Sequence, residues 1–351
     1  MTSPVERIRA YHAELKLVRH DLHAHPELAF TETRTSDLVA EKLAGWGIEV
    51  HRGLARTGVV GIIKGKSNVK GRGVGLRADM DCLPIHETGA VPYRGAGGHV
   101  MVKEGLFEKF PANEVYALHN WPGLAPGKIA VGAGPMMAAT DEVQVTVRGK
   151  GGHGAMPHLV VDPVVAAAQI ITALQTIASR NVDPTDAVVV SICSMQTSQV
   201  GAFNVVPESV RLVGTVRSFR PETRDLAERR LREIVIKVAE ALGGSAQIDY
   251  MRGYPATVNS VREAAFAAAV GERIFGKGNV ITDPTPTMGG EDFSYMLAER
   301  PGAYVWLGQG GGPGGCFLHH PSFDFNDEVI PLGAGYLAAL VEEALPLEEE
   351  K

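Results

Sequence analysis

The chain has 351 residues, 45% of them hydrophobic and 21% charged, and its 34 Lys and Arg against 40 Asp and Glu leave a formal net charge of −6. That composition excludes disorder, collagen-like repeats and a disulfide-stapled miniprotein, and at ~150 residues per domain the length suits about two domains. The basic residues are scattered, which excludes a nucleic-acid footprint. Ile8, Tyr11, Leu15, Val18 and Leu22 have helical spacing, and Pro26 ends that run. Thr31 to Leu43 reads as a second helix, stopped by Gly45 and Gly47. Strands are expected at Gly58 to Lys64, Gly73 to Arg77, Val115 to Leu118 and Lys128 to Gly132.

From Asp141 to Arg148 apolar and polar residues alternate, the pattern of a half-buried strand. Asp162 followed by Pro163 is an N-cap with proline at the first helical position, opening a helix to about Ser179. Ala187 to Met195 and Ser209 to Phe219 read as strands, Pro221 opens a helix that ends at Gly243, and Ala246 to Met251 closes the set. The order β-α-β-β-α-β is that of a ferredoxin-like unit and predicts an inserted domain over residues 140–251. Helix Val261 to Phe275, helix Glu291 to Ala298, strand Ala303 to Leu307 and helix Leu332 to Leu345 alternate as in an α/β layer fold. They are expected to complete the sheet begun earlier, so that 1–139 and 252–351 make one discontinuous domain.

No apolar run approaches the ~18 residues of a membrane span. Charges at Glu6, Arg7 and Arg9 occupy the place of a signal peptide's apolar core. Cys82, Cys193 and Cys316 form an odd set without metal-type spacing, which points to reduced thiols. A cytoplasmic protein with no membrane and no nucleic-acid partner is expected.

Asp79 and Asp81 follow the apolar strand Val74 to Leu76, where open α/β sheets place their ligands. Two positions apart, they can face one cation; a pair of turn or cap aspartates fits equally well. His119 ends a strand and His319 follows a glycine-rich stretch, and neutral imidazole binds zinc-like ions well, although a lone histidine is more often structural. His153 lies in Gly149 to His158, a tight loop whose backbone can approach a ligand; His153 can donate to an oxyanion or simply face solvent. Asn204 and Arg217 are candidates for binding a carboxylate, against the plain alternative of surface residues.

Seven strings occur in one order: Arg19 to Leu28, Leu76 to Asp81, Leu118 to Pro122, Gly151 to His158, Gly214 to Arg217, Met288 to Ser294 and Leu318 to Asn326. Together they resemble the amidohydrolase branch of the aminoacylase/carboxypeptidase zinc-peptidase superfamily, which includes hippurate hydrolases, indole-acetyl-amino-acid hydrolases and N-acyl-amino-acid amidohydrolases. The resemblance runs from about Val5 to Leu345. It implies an α/β zinc-peptidase-like catalytic domain, a mixed sheet flanked by helices, carrying an inserted ferredoxin-like dimerisation domain. It implies hydrolysis of the N-acyl bond of small N-acyl-amino acids by a homodimer that holds two divalent metals per subunit, of the zinc, manganese or cobalt kind. On the matching positions, His119 and His319 fall on metal ligands and Asp81 on the aspartate that orients the metal site. His153 falls on the oxyanion histidine contributed by a partner subunit. Asn204 and Arg217 fall near the substrate carboxylate, and Glu291 on a pocket-lining acid.

One departure is large. Between Arg94 and Val100 members of the branch carry several tens more residues, with a Cys-Gly-His string, a helix, a central strand and a Glu-Glu string. Here only Gly95 to His99 stands between. A catalytic zinc needs about three protein ligands and a base within reach of its water. Metal binding is therefore expected to be weakened, and a shortened, catalytically impaired homodimer that at most binds carboxylate ligands is the alternative expectation.

Overall fold

The chain enters its first helix, α1 (Pro4–Arg9), through a capping box: the Glu6 amide donates to Ser3 Oγ and the Ser3 amide donates to Glu6 at 2.9 Å. The computed structural model describes residues 2–66, 71–82, 97–311, 316–320 and 323–346. The shortened stretch around Arg94 and Gly95 and the glycine run Gly312 to Gly315 lie outside the described residues. Two compact units are present, one of residues 1–136, 257–285 and 292–351 and one of 137–256 and 286–291.

The single helix expected from Ile8 to Leu22 is two. Tyr11 donates back to the Ile8 carbonyl, and α2 (His12–Ala24) starts afresh. Gly335 explains the first piece: a Cβ there would lie 2.6 Å from Val5 Cα, so α1 sits directly on the C-terminal helix. No residue of α2 is buried. Its ties are polar: Arg34 grips both Asp21 oxygens at 2.8 Å, Lys42 reaches Glu14 at 3.1 Å, and Lys16, Arg19 and His20 converge on Asp327 at 3.4, 2.6 and 2.7 Å. Next comes α3 (Thr33–Gly45), whose first amides, Arg34 and Thr35, donate to the Glu27 carboxylate at 3.0 and 2.7 Å. An antiparallel ribbon follows, β1 (Glu49–Leu54) with β2 (Gly58–Ile62). Then come β3 (Val74–Arg77), two short helices, α4 (Gly97–Lys103) and α5 (Leu106–Lys109), and strands β4 (Glu114–Pro122), β5 (Ile129–Ala130) and β6 (Gly134–Met137).

The second unit begins with β7 (Ala139–Arg148), where Val143, Val145 and Val147 are buried and the residues between them are half-buried. After β8 (Gly152–His153) comes α6 (Pro163–Leu174), opened by Asp162 accepting the Val164 amide at 2.8 Å. The helix expected to reach Ser179 ends at Leu174, and Ile177–Asn181 forms a wider π turn. Strands β9 (Val188–Thr197), β10 (Val205–Val206) and β11 (Ser209–Ser218), helix α7 (Pro221–Ala241) and strand β12 (Ser245–Arg252) complete it. The sheet order is β12-β7-β11-β9, every pair antiparallel. Ala167, Ile170 and Leu174 of α6 and Leu231 and Val235 of α7 form one core with Val145, Val147 and Leu212. Each of the Ile, Leu and Val side chains among them is worth roughly 1.5–3 kcal/mol on burial.

The chain then returns to the first unit through β13 (Thr257–Asn259), α8 (Val261–Phe275), β14 (Val280–Ile281), α9 (Ser294–Glu299), β15 (Gly302–Gly310) and α10 (Ile330–Ala344). Its five-stranded sheet has the order β14-β5-β15-β4-β3. β3, β4 and β15 run parallel, and β5 pairs antiparallel to β15. β15 is buried from Gly302 to Gln309, as a central strand covered on both faces must be. Tyr336 of α10 donates to the Ala267 carbonyl of α8 at 2.8 Å, closing the helical layer over Val305 and Leu307. This is the expected α/β class, a mixed sheet flanked by helices. It puts the carboxyl ends of β3, β4 and β15 side by side.

Candidate metal centre and substrate-binding residues

His119 and His319 come from two of those ends. His119 lies near the end of β4, and His319 follows β15 in a backbone with φ of 67°, a left-handed conformation that a non-glycine residue rarely adopts. Asn120 and Gln309 bind one another across β4 and β15 at 2.9 Å, and Asn326 donates to the Gln309 carbonyl at 2.9 Å, which fixes the far end of the loop that carries His319. His119 Nδ1 lies 2.7 Å from the Asn120 carbonyl oxygen. A carbonyl only accepts, so Nδ1 carries the proton and Nε2 keeps its lone pair for a ligand. Burial, and then the neighbouring His119, hold the His319 imidazolium below its usual pKa.

Asp81 sits at the end of β3, half-buried. Burial first, then Asp79, Glu32 and Asp292, push its carboxyl up to about 8. Arg77 answers part of that charge, pairing with Asp79 at 2.9 Å and with Asp292, whose oxygens lie within 4.8 Å of Asp79. Cys82 is tied by its amide to the Glu27 carbonyl at 2.9 Å, and His99 stacks on Tyr295 with centroids 4.1 Å apart. All three cysteines are free thiols.

In the second unit His153 pairs through β8 with Val205 of β10, and the Gly154 amide donates to the Asn204 carbonyl at 2.7 Å, which brings His153 and Asn204 together. Both are exposed. The Ala155 amide donates to His153 Nδ1 at 3.1 Å, so the ring proton sits on Nε2, free to donate outward. Arg217 is half-buried in β11, and its Nε donates to Thr215 Oγ1 at 3.0 Å. Burial pulls its pKa down and the Asp141 charge only partly opposes it, so this guanidinium suits an incoming carboxylate. Glu291 is buried and belongs to the second unit's segment 286–291.

Sequence reasoning passed over Glu32, Asp292 and Arg77. Asp292 adjoins Glu291, and that adjacency was an available signal; Glu32 gave none. Two imidazole nitrogens are donors of the kind zinc, manganese or cobalt takes, and they supply two of the ligands such an ion needs. Among the described residues, neither histidine joins a group of three or more His, Cys, Asp or Glu ligand atoms mutually within 4.8 Å.

The sequence profile of Peptidase family M20/M25/M40 matches residues 87–343. A hippurate hydrolase from Campylobacter jejuni is 34% identical, with 93% of this chain and 95% of that protein covered. That alignment spans 373 positions, so several tens of them face gaps in this chain. An N-acetylcysteine deacetylase from Bacillus subtilis is 29% identical over 95% of this chain and 97% of its own. Among solved structures, the Bacillus subtilis YXEP protein, described as a dinuclear metal binding peptidase from the M20 family, superposes with a TM-score of 0.76 at 27% identity, covering 96% of this chain and 99% of that one. A profile match over most of the length and a third of the residues shared across nine-tenths of it leave one conclusion: this chain belongs to the M20/M25/M40 peptidase family.

Proposed function

We propose that this protein is a metal-dependent amidohydrolase that cleaves the N-acyl amide bond of small N-acyl-amino acids, hippurate-like conjugates among them. The observation that carries the reading is the placement of His119, its Nδ1 on the Asn120 carbonyl, near the end of β4 and of His319 beyond the end of β15, the parallel neighbour of β4. A divalent ion held there supplies Lewis acidity toward an amide carbonyl. His153 offers an outward Nε2–H where negative charge develops on that carbonyl oxygen. Arg217 takes the substrate carboxylate, Asn204 adds a contact to it from the loop beside His153, Glu291 lines the pocket, and Asp81 orients the metal site. Residues 140–251 act as the dimerisation domain, with His153 supplied across the dimer.

A second reading, a shortened and catalytically impaired homodimer that retains carboxylate binding, is favoured by the lack of a third ligand near the histidines among the described residues. One experiment separates the two. Hydrolysis of hippurate and N-acetylcysteine is measured with saturating zinc, manganese or cobalt, for this chain and for a version carrying a restored Cys-Gly-His and Glu-Glu segment. Slow metal-dependent turnover, ~10²–10⁴-fold below the restored protein, is expected, the typical worth of a general base. Equal rates would mean that another residue serves as base. No turnover by this chain, with turnover by the restored protein, supports the impaired reading. No turnover by either protein would sink the amidohydrolase reading.

A further inference from the structure

His119 does not stand alone on its face of the sheet. Trp121 lies two residues on in β4, and alternation puts its side chain on the same side. Trp306 of β15 is the register partner of His119, which brings a second indole to that side. The Trp121 and Trp306 rings stack with centroids 4.0 Å apart and planes 9° from parallel. Phe317, two residues before His319, meets Trp121 edge-on at 5.6 Å and 88°. The His119 ring is 6.3 Å from Trp121, also edge-on. Three touching aromatic rings therefore stand beside His119, one of them two residues before His319, and all of them belong to the first unit.

Their exposure is uneven. Trp306 is 4% exposed, and its indole Nε1 is buried with no hydrogen-bond partner among the described residues. Phenylalanine would fill a packing role without stranding a donor, so burial alone does not account for an indole here. Phe317 is 50% exposed, and Trp121 is half-buried. Aromatic surface left open beside two candidate ligands is a surface a bound molecule can cover. Offset and edge-on packing of a further ring against these faces is favourable beyond the area it covers, and an acetyl group gains none of it.

We infer that Trp121 and Phe317, with Trp306 stacked behind Trp121, form a wall that receives a flat aryl group on the acyl side of the substrate, and so determine the acyl specificity of this chain. The inference rests on the N-acyl-amino-acid reading above and deepens it.

The chain has three tryptophans, and the third, Trp46, is 54% exposed at the end of α3. In a Trp46→Phe background, indole emission reports only on Trp121 and Trp306. Hippurate and N-acetylglycine, which share the glycine carboxylate and differ in the acyl group, are titrated in the presence of zinc by fluorescence and calorimetry. Hippurate is expected to perturb the emission and to bind about tenfold more tightly than N-acetylglycine. Phe317→Leu, a change at a half-exposed position with little risk to folding, is expected to weaken hippurate several-fold and leave N-acetylglycine unchanged. Trp121→Leu, followed by calorimetry, removes most of the preference. Equal affinities for the two compounds overturn the wall and leave the N-acyl-amino-acid reading standing, as does a preference that survives both substitutions. Saturable binding of neither compound overturns that reading, and the wall with it.

Discussion

Arg77 donates to the buried carboxylate of Asp292, and the other oxygen of that carboxylate takes the Gly98 amide at 2.7 Å. The pair is nearly dry, with side chains 12% and 6% exposed. A Cβ on Gly98 would lie 3.0 Å from the same oxygen, so glycine is what lets the start of α4 close in. Asp292→Ala takes from a buried guanidinium the carboxylate it pairs with and strands the Gly98 amide. The expected loss is about 3 kcal/mol, the low end for breaking a buried ion pair, read from the urea midpoint at unchanged slope. A loss below 1 kcal/mol would show that this pair does little for stability.

Asp81 makes stability depend on pH in the less familiar direction. Its folded pKa of about 8 stands above the ordinary value of 3.8, so the folded state holds this proton the more tightly. The stabilisation is complete below about pH 4 and is lost as pH rises through 8, at no more than ~1.4 kcal/mol per pH unit. Metal-free protein should therefore melt progressively lower across that window, and Asp81→Asn should flatten the dependence. A variant that follows the parent curve at every pH would rule Asp81 out as its source.

The metal reading predicts a stoichiometry. Competition with a chromophoric chelator should find no more than one tightly held zinc per chain. His119→Ala and His319→Ala should each weaken that binding at least tenfold, since each removes one of few ligands. Unchanged affinity in both variants would place the metal elsewhere.

Association is predicted to run through β9, which ends the order of the second unit's sheet and presents an open edge among the described residues. Open edges are templates for pairing with another chain. Val200 and Phe203, just beyond β9, are 90% and 101% exposed, apolar surface that a second copy would cover. Sedimentation of the full chain at micromolar concentration should show a dimer, and Val200→Asp with Phe203→Asp should shift it to monomer while circular dichroism stays unchanged. A parent that sediments as a monomer would refute the arrangement.

How far the sequence could be read depended on whether the signal was local. Alternation at Val143, Val145 and Val147 and the Asp162 cap are local, and the four long strands and two helices of the second unit came out within about five residues of their observed ends, whereas the two-residue strands β8 and β10 were not foreseen. β15 was expected only over Ala303 to Leu307; it extends through Gly308, where a Cβ would lie 2.0 Å from the Ala125 carbonyl oxygen, a close approach no propensity encodes. β1 went unseen because Glu49, His51 and Arg52 carry no strand pattern and pairing with β2 alone makes it a strand. Histidines at strand ends announce themselves by residue type. The charges around Asp81 do not, because Glu32 and Asp292 reach it from opposite ends of the chain.

α2 has no fully buried residue, its apolar Leu15, Val18 and Leu22 being only half-buried, and its side chains hold to α3 and Asp327 through carboxylates, guanidinium groups, ammonium groups and imidazole. Hydrophobic docking strengthens as salts are excluded from a surface, whereas exposed ion pairs fade once the screening length shrinks toward ~3 Å at molar salt. The two ends of the molecule's stability therefore respond to ionic strength with opposite sign. Concentrated salt should loosen residues 12–24 while the sheet cores tighten, so this helix would be the first segment to exchange its amide hydrogens and the first to meet a protease.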